Sequence, residues 1–179
     1  MEFLPTSIPD LYVIRARRLS DTRGAFTKIF HSGTFHSSAP GFAIHEIYFS
    51  TSRKGVVRGL HFQTAPSAQA KLVFCIKGSI FDVSVDLRRS SPTYGQHFGM
   101  ELTEESAVAL LVPEGCAHGM QALVDGATGV MAASAVYAPD REGGIAWNSC
   151  GIAWPCVPTS ISEKDQRQPA LAEFVSPFP

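Results

Sequence analysis

The chain has 179 residues, with 15 Lys or Arg against 16 Asp or Glu and a formal charge of −1. That length suits a single domain, which buries roughly 70% of its unfolded surface and so folds without disulfides or a structural metal. A near-neutral balance argues against bulk nucleic-acid or membrane-surface binding, which usually needs a broad basic patch, and leaves room for a local anion site.

From the N-terminus, MEFLPTSIPD lacks the basic and long apolar regions of a signal peptide. No apolar run reaches the roughly 20 residues of a membrane helix. Short β-rich runs then follow one another, at 11–19, 25–30, 42–50, 56–63, 71–78, 79–87, 97–103, 108–113, 118–124 and 129–137. Turn signals such as Lys77-Gly78 and Asp125-Gly126 separate them. Strands at this spacing predict an all-β sandwich or barrel. The clearest alternation is SIFDVSVDL, with Ile80, Asp82, Ser84 and Asp86 on one face and Phe81, Val83, Val85 and Leu87 on the other. Residues 31–40 predict a short helical turn before Pro40. The tail from Ser162 predicts a short helix or turn on the surface, with no second core. Cys75, Cys116, Cys150 and Cys156 form no CxxC pair and read as reduced thiols, so a cytoplasmic location is expected.

Two histidines stand in informative settings. GVVRGLHFQ (55–63) reads as a core strand, yet it carries Arg58 and His61. Strict alternation puts them on opposite faces. A bulge at Gly59, which lies between them, would let both point inward. VPEGCAHGM (112–120) has the form Pro-x-Gly-x-x-His, ending at His118, and resembles the second motif of the cupin barrels. The first cupin motif normally carries His-x-His and a Glu. Here His61-Phe62-Gln63 is followed by Lys71, whose ammonium would repel a metal ion, so no metal site is expected. An interior bearing Arg58, His61, Lys71 and His118 suits an anionic small molecule.

RGLHFQ (58–63), AQAKLV (68–73), FDVSVDLRRSSPTYGQ (81–96), VPEGCAHGM (112–120), GIAW (144–147) and ISEKD (161–165), with DTRGAF (21–26), resemble the dTDP-4-dehydrorhamnose 3,5-epimerase family. The likeness runs from about residue 5 to 174. It implies a single cupin-type jelly-roll domain over 1–179 with short peripheral helices, the segment 160–179 packing on the barrel. It also implies a homodimer acting on a nucleotide-diphosphate 4-keto-6-deoxy sugar. The protons at C3 and C5 of such a sugar are acidified by the neighbouring ketone, so no redox or organic cofactor is needed. A histidine is the natural base at neutral pH.

By this resemblance His61 is the base and Asp165 its orienting carboxylate. On the sequence alone, Ser162-x-x-Asp165 reads first as a capping box, and the resemblance reverses that order. Lys71 is implied as the enolate stabiliser. Arg23, Glu46, Arg58, His118, Tyr137, Glu142 and Lys164 are implied as substrate-binding residues.

Three positions depart from the family pattern. The family's acid is a tyrosine, and the corresponding position here is Met131, whose thioether has no proton to give. Lys28 replaces an acidic residue after the DxRG turn. Glu46-Ile47-Tyr48 replaces a Gln-Asp-Asn stretch. These departures keep two alternatives open: a C3-only epimerase acting on another nucleotide sugar, and a non-catalytic sugar-nucleotide-binding barrel. A related 3,4-ketoisomerase is disfavoured by Phe62-Gln63.

Overall fold

The computed structural model describes residues 1–179. In chain order it contains β1 (Glu2–Pro5), β2 (Tyr12–Arg15), β3 (Arg18–Asp21), β4 (Gly24–Thr27), α1 (Ser32–Ser38), β5 (Glu46–Ser52), β6 (Val57–Gln63), β7 (Lys71–Lys77), β8 (Ser79–Asp86), β9 (His97–Thr103), β10 (Val108–Val112), β11 (Cys116–Ala122), β12 (Ala127–Ala133), β13 (Glu142–Gly144) and α2 (Glu163–Gln166). Six strands form one antiparallel sheet in the order β1-β2-β10-β7-β12-β5. Five form a second, β13-β6-β11-β8-β9, and β3-β4 is a separate hairpin.

The core is layered. Val73, Leu110 and Met131 of the six-stranded sheet meet Ile80, Leu102 and Met120 of the five-stranded sheet in one buried cluster. The alternation in β8 decides what else enters this space. Phe81, Val83, Val85 and Leu87 face away from the barrel, where Phe174, Phe178, Ile152 and Trp154 cover them. The polar face, with Asp82, Ser84 and Asp86, is therefore the inner one, and all three are fully buried. On the far side of the six-stranded sheet, Phe35 of α1 packs with Ile14, Leu72 and Leu111, flanked by Phe30 and Phe42.

Several boundaries differ from expectation. The run 11–19 breaks after Arg15. Its second half joins β4 in a hairpin whose β3 residues are all exposed. The run 25–30 stops at Thr27, because Ile29 and Phe30 turn into the cluster around α1. For the same reason the run 42–50 becomes strand only from Glu46. β1 and β13 were not expected: one ends on a proline, and the other is Glu-Gly-Gly, whose glycines disfavour strand. The helical turn over 31–40 forms as α1 and ends ahead of Pro40. The tail does contain a short helix, but its irregular remainder closes a cluster of 9 buried residues that includes Phe178. The tail thus adds an outer layer to the barrel through Phe174 and Phe178 and forms no separate core. An irregular segment shows no apolar periodicity by which such a layer could be read.

Candidate active site

The strand carrying Arg58 and His61 is bulged. His118 pairs with His61 and Met120 with Arg58, so β6 advances three residues while β11 advances two. Gly59 sits at the bulge with φ +122°, and a Cβ there would lie 2.6 Å from the Cα of Gly119. Only glycine tolerates both conditions. The consequence is the one the sequence suggested: Arg58 and His61 line the same cavity, of about 660 Å³, between the two sheets.

His61 Nε2 lies 2.6 Å from Asp165 Oδ1. The carboxylate arrives from α2, more than a hundred residues away, and its Oδ2 accepts the Gly59 backbone N–H at 3.2 Å. Both readings of Asp165 hold at once. Its backbone N–H donates to Ser162 Oγ at 3.1 Å, capping the helix, while its side chain reaches His61. Burial pushes the Asp165 carboxyl up, but bonds from His61, Gly59 and Ser162 outweigh burial and hold it below its ordinary value. An ionised partner fixes the His61 proton on Nε2, leaving the Nδ1 lone pair without a protein partner.

His118 makes a second such pair, with Nε2 at 2.8 Å from Asp82 Oδ2. Asp82 Oδ1 is buried without a partner. Asp82 is a site residue the sequence reading missed. Its one visible signal was its place in the polar half of the SIFDVSVDL alternation, which does not say which half faces inward.

Across the cavity, the six-stranded sheet contributes Tyr48, Lys71 and Met131. Lys71 is only 6% exposed. Burial lowers its pKa to about 8, against the upward pull of Asp82 and Glu142. Arg58 donates through Nε to Ser52 Oγ at 3.0 Å, which holds its guanidinium at the rim. Arg53, also missed, and Lys164 add positive charge to the same lining. Cations converging on one cleft favour an anionic ligand such as a diphosphate.

A smaller adjoining pocket shares Tyr48, His61 and Lys71 with the main cavity and is completed by Glu46, Tyr137 and Glu142. Glu142 accepts Tyr137 Oη at 2.8 Å and Lys164 Nζ at 2.8 Å, and Glu46 accepts the Tyr137 backbone N–H at 2.6 Å. Burial raises the Glu142 pKa, but these partners together with the nearby charges of Lys164 and His61 leave it lowered overall.

Of the expected site residues, His61, Asp165, Lys71, Arg58, His118 and Lys164 meet in the main cavity, and Glu46, Tyr137 and Glu142 in the adjoining one. Arg23 does not join them. It is carried off by the β3–β4 hairpin and pairs with Asp21 at 2.6 Å, outside both pockets.

The sequence model of the dTDP-4-dehydrorhamnose 3,5-epimerase family matches residues 5–173. The chain is 39% identical over 182 residues to the dTDP-4-dehydrorhamnose 3,5-epimerase of Sinorhizobium fredii, covering 99% of this chain and 93% of that one. Its fold is similar to that of a 4-keto-6-deoxy sugar epimerase from the novobiocin gene cluster of Streptomyces spheroides, with TM-score 0.92 and 37% identity over 97% of this chain and 88% of that one. It is also similar to a 3′-monoepimerase from Streptomyces bikiniensis in complex with dTDP-quinovose, with TM-score 0.89 and 31% identity over 94% and 87% of the two chains. The architecture is thus the cupin-type jelly roll that the sequence implied.

Proposed function

The chain belongs to the dTDP-4-dehydrorhamnose 3,5-epimerase family, and from that membership we propose which substrate it takes and how its residues divide the work. It is an epimerase, inverting C3, C5 or both in a nucleotide-linked 4-keto-6-deoxy sugar. We infer a substrate of the dTDP-4-dehydro-6-deoxyglucose type, the diphosphate held by Arg58 and Lys164 at the cavity rim.

One observation carries the assignment of roles: His61 is clamped to a buried carboxylate at 2.6 Å, with its other ring nitrogen free, in a cavity whose opposite wall bears a buried ammonium. His61 removes the proton beside the ketone, and the electron pair moves onto O4. Lys71 meets the developing enolate in a site where burial strengthens the attraction. A proton returned from the opposite face inverts the centre. Only protons move, so no redox partner enters the balance. His118, Tyr137, Glu46 and Glu142 position the sugar. An oriented base has no use in a protein that only binds. Met131 favours one second reading, inversion at a single carbon.

We also infer a homodimer. β5 is an open sheet edge with Ile47 and Phe49 exposed, and the β3–β4 hairpin exposes Leu19 and Phe26. Apolar side chains at such an edge are what a partner covers. In that arrangement Arg23 meets ligand in the partner's cavity rather than its own. The four thiols, all unpaired, suit the reducing cytoplasm.

The test is to incubate the protein with the 4-keto sugar nucleotide in D2O and follow deuterium by NMR. Entry at C3 and C5 is expected for double epimerisation, and entry at one carbon for the single-centre reading. A substrate recovered without deuterium refutes the epimerase assignment for that sugar.

A further inference from the structure

Inversion requires two groups on opposite faces of one carbon, and the thioether at 131 cannot be the second. The cavity walls narrow the choice. His61 stands on β6 of the five-stranded sheet. The facing wall belongs to β5, β7 and β12 of the six-stranded sheet. On β5, Ile47 and Phe49 are 65% and 69% exposed and line neither compartment, whereas Tyr48, at the mouth and 37% exposed, lines the cavity together with Ser50, Thr51 and Ser52.

Met131 and Tyr48 are direct partners in the β12–β5 register. Side chains so paired project from the same face of the sheet with Cβ atoms about 5 Å apart. A phenol at 48 therefore reaches the space that a side chain at 131 fills. Tyr48 also lines both compartments, each time together with His61 and Lys71.

We propose that Tyr48 is the acid of this enzyme, returning a proton to the sugar carbon on the face opposite His61. This rests on the epimerase reading above. His61 takes the proton from C–H and becomes imidazolium, and the bonding pair passes to O4 as enolate. The carbonyl re-forms as the carbon takes the Tyr48 O–H proton from the other side, leaving phenolate. Exchange with solvent then moves the proton from His61 back to Tyr48.

The remaining hydroxyls fit less well. Tyr137 spends its hydroxyl on Glu142, and Thr51 on Thr128. Serine hydroxyls such as that of Ser50 are far weaker acids than a phenol. The Tyr48 hydroxyl makes no hydrogen bond within the protein, so it is free for ligand. Burial, with Glu46 and Glu142 nearby, pushes its pKa up to about 12, which keeps the phenol protonated at working pH.

The experiment scores Tyr48→Phe by two readouts on the 4-keto sugar in D2O: deuterium entry and inversion. Without the acid, His61 returns label to the face it came from. Inversion is expected to fall by about 10²-fold or more, while label enters the recovered substrate, configuration retained, at a rate within about tenfold of the unmodified enzyme. A merely structural role would lower both readouts together, and that outcome overturns the proposal. So does inversion within about threefold of the unmodified enzyme. In the double variant Tyr48→Phe with Met131→Tyr, inversion is expected to return; failure to return while label still enters means that position 131 does not share the reach of residue 48, and overturns the register argument. Absence of any label with the unmodified enzyme is a different failure, that of the epimerase reading itself.

Discussion

His61 and His118 are cross-strand partners, each with Nε2 on a carboxylate, lining one cavity, yet they are built differently. The His61 side chain is 25% exposed and that of His118 is 7% exposed. Asp165 is brought from the tail and has both oxygens bonded. Asp82 lies within the sheet and leaves Oδ1 with no partner. A histidine with access to ligand and a saturated carboxylate behind it is suited to take a proton and return to one geometry. A buried pair with an unused acceptor is suited to holding charge and position near its neighbours. Proximity of His to Asp is thus no measure of role; access and the partner's remaining bonds are.

The largest expected effect breaks the comparison at its centre. His61→Ala is expected to abolish deuterium entry, a loss of about 10²–10⁴-fold or more. His118→Asn is expected to leave entry measurable, with a weaker KM. Equal loss in the two variants would mean that the pairs are not functionally distinct. Asp165→Asn belongs with His61→Ala, because an amide permits the wrong tautomer; a loss of about 10²-fold in kcat is expected. A change confined to KM would leave Asp165 as a helix cap only.

Next in size is the cation between the pairs. Lys71→Met removes the charge that meets the enolate, and a fall of about 10²-fold in kcat is expected. Stability moves the other way. Burial lowers the Lys71 pKa from 10.5 to about 8, a cost of roughly 3 kcal/mol at about 1.4 kcal/mol per unit. Below pH 8 the folded and unfolded chains both carry the proton, so the full cost is present. As pH rises from about 8 toward 10.5, the folded chain sheds the proton first and the cost is relieved. Lys71→Met should therefore melt roughly 5–10 °C higher at pH 7, with the gap closing above pH 8. A variant that melts lower at pH 7 would show that Lys71 is held by partners rather than tolerated for function.

How much of this was legible depended on whether the deciding contact was local. The glycine between Arg58 and His61 announced its bulge, because a lone glycine in a strand is a local mark. Ser162-x-x-Asp165 announced the cap, but only the backbone half of Asp165's bonding is local; the side chain's partner lies across the fold. Asp82 stood in plain alternation. Alternation separates two faces without saying which is inside, and here the tail reverses the usual sense by covering the apolar one. Tyr48 was visible only as a departure from the family pattern, since the strand that brings Met131 opposite it is a matter of register. Arg23 matched a motif, but its hairpin carries it away from the cavity.

The smallest expected effect is the sharpest on the second pair. Among the charges acting on Lys71, Asp82 pulls its pKa up most, followed by Glu142, and Asp165 is not among them. If the ammonium of Lys71 serves the enolate, the rate must fall as pH rises through about 8. Asp82→Asn keeps an acceptor for His118 and removes only the charge. Lys71 should then lose its proton earlier, so the alkaline limb moves below pH 8, while at pH 6.5 the rate changes by only about two- to fivefold, less than the effect of removing a group that acts directly on the substrate. Asp165→Asn should lower the whole profile and leave that limb in place. A limb unmoved by Asp82→Asn would show that the buried pair does not hold the charge on Lys71, and the two histidines would then differ in exposure alone.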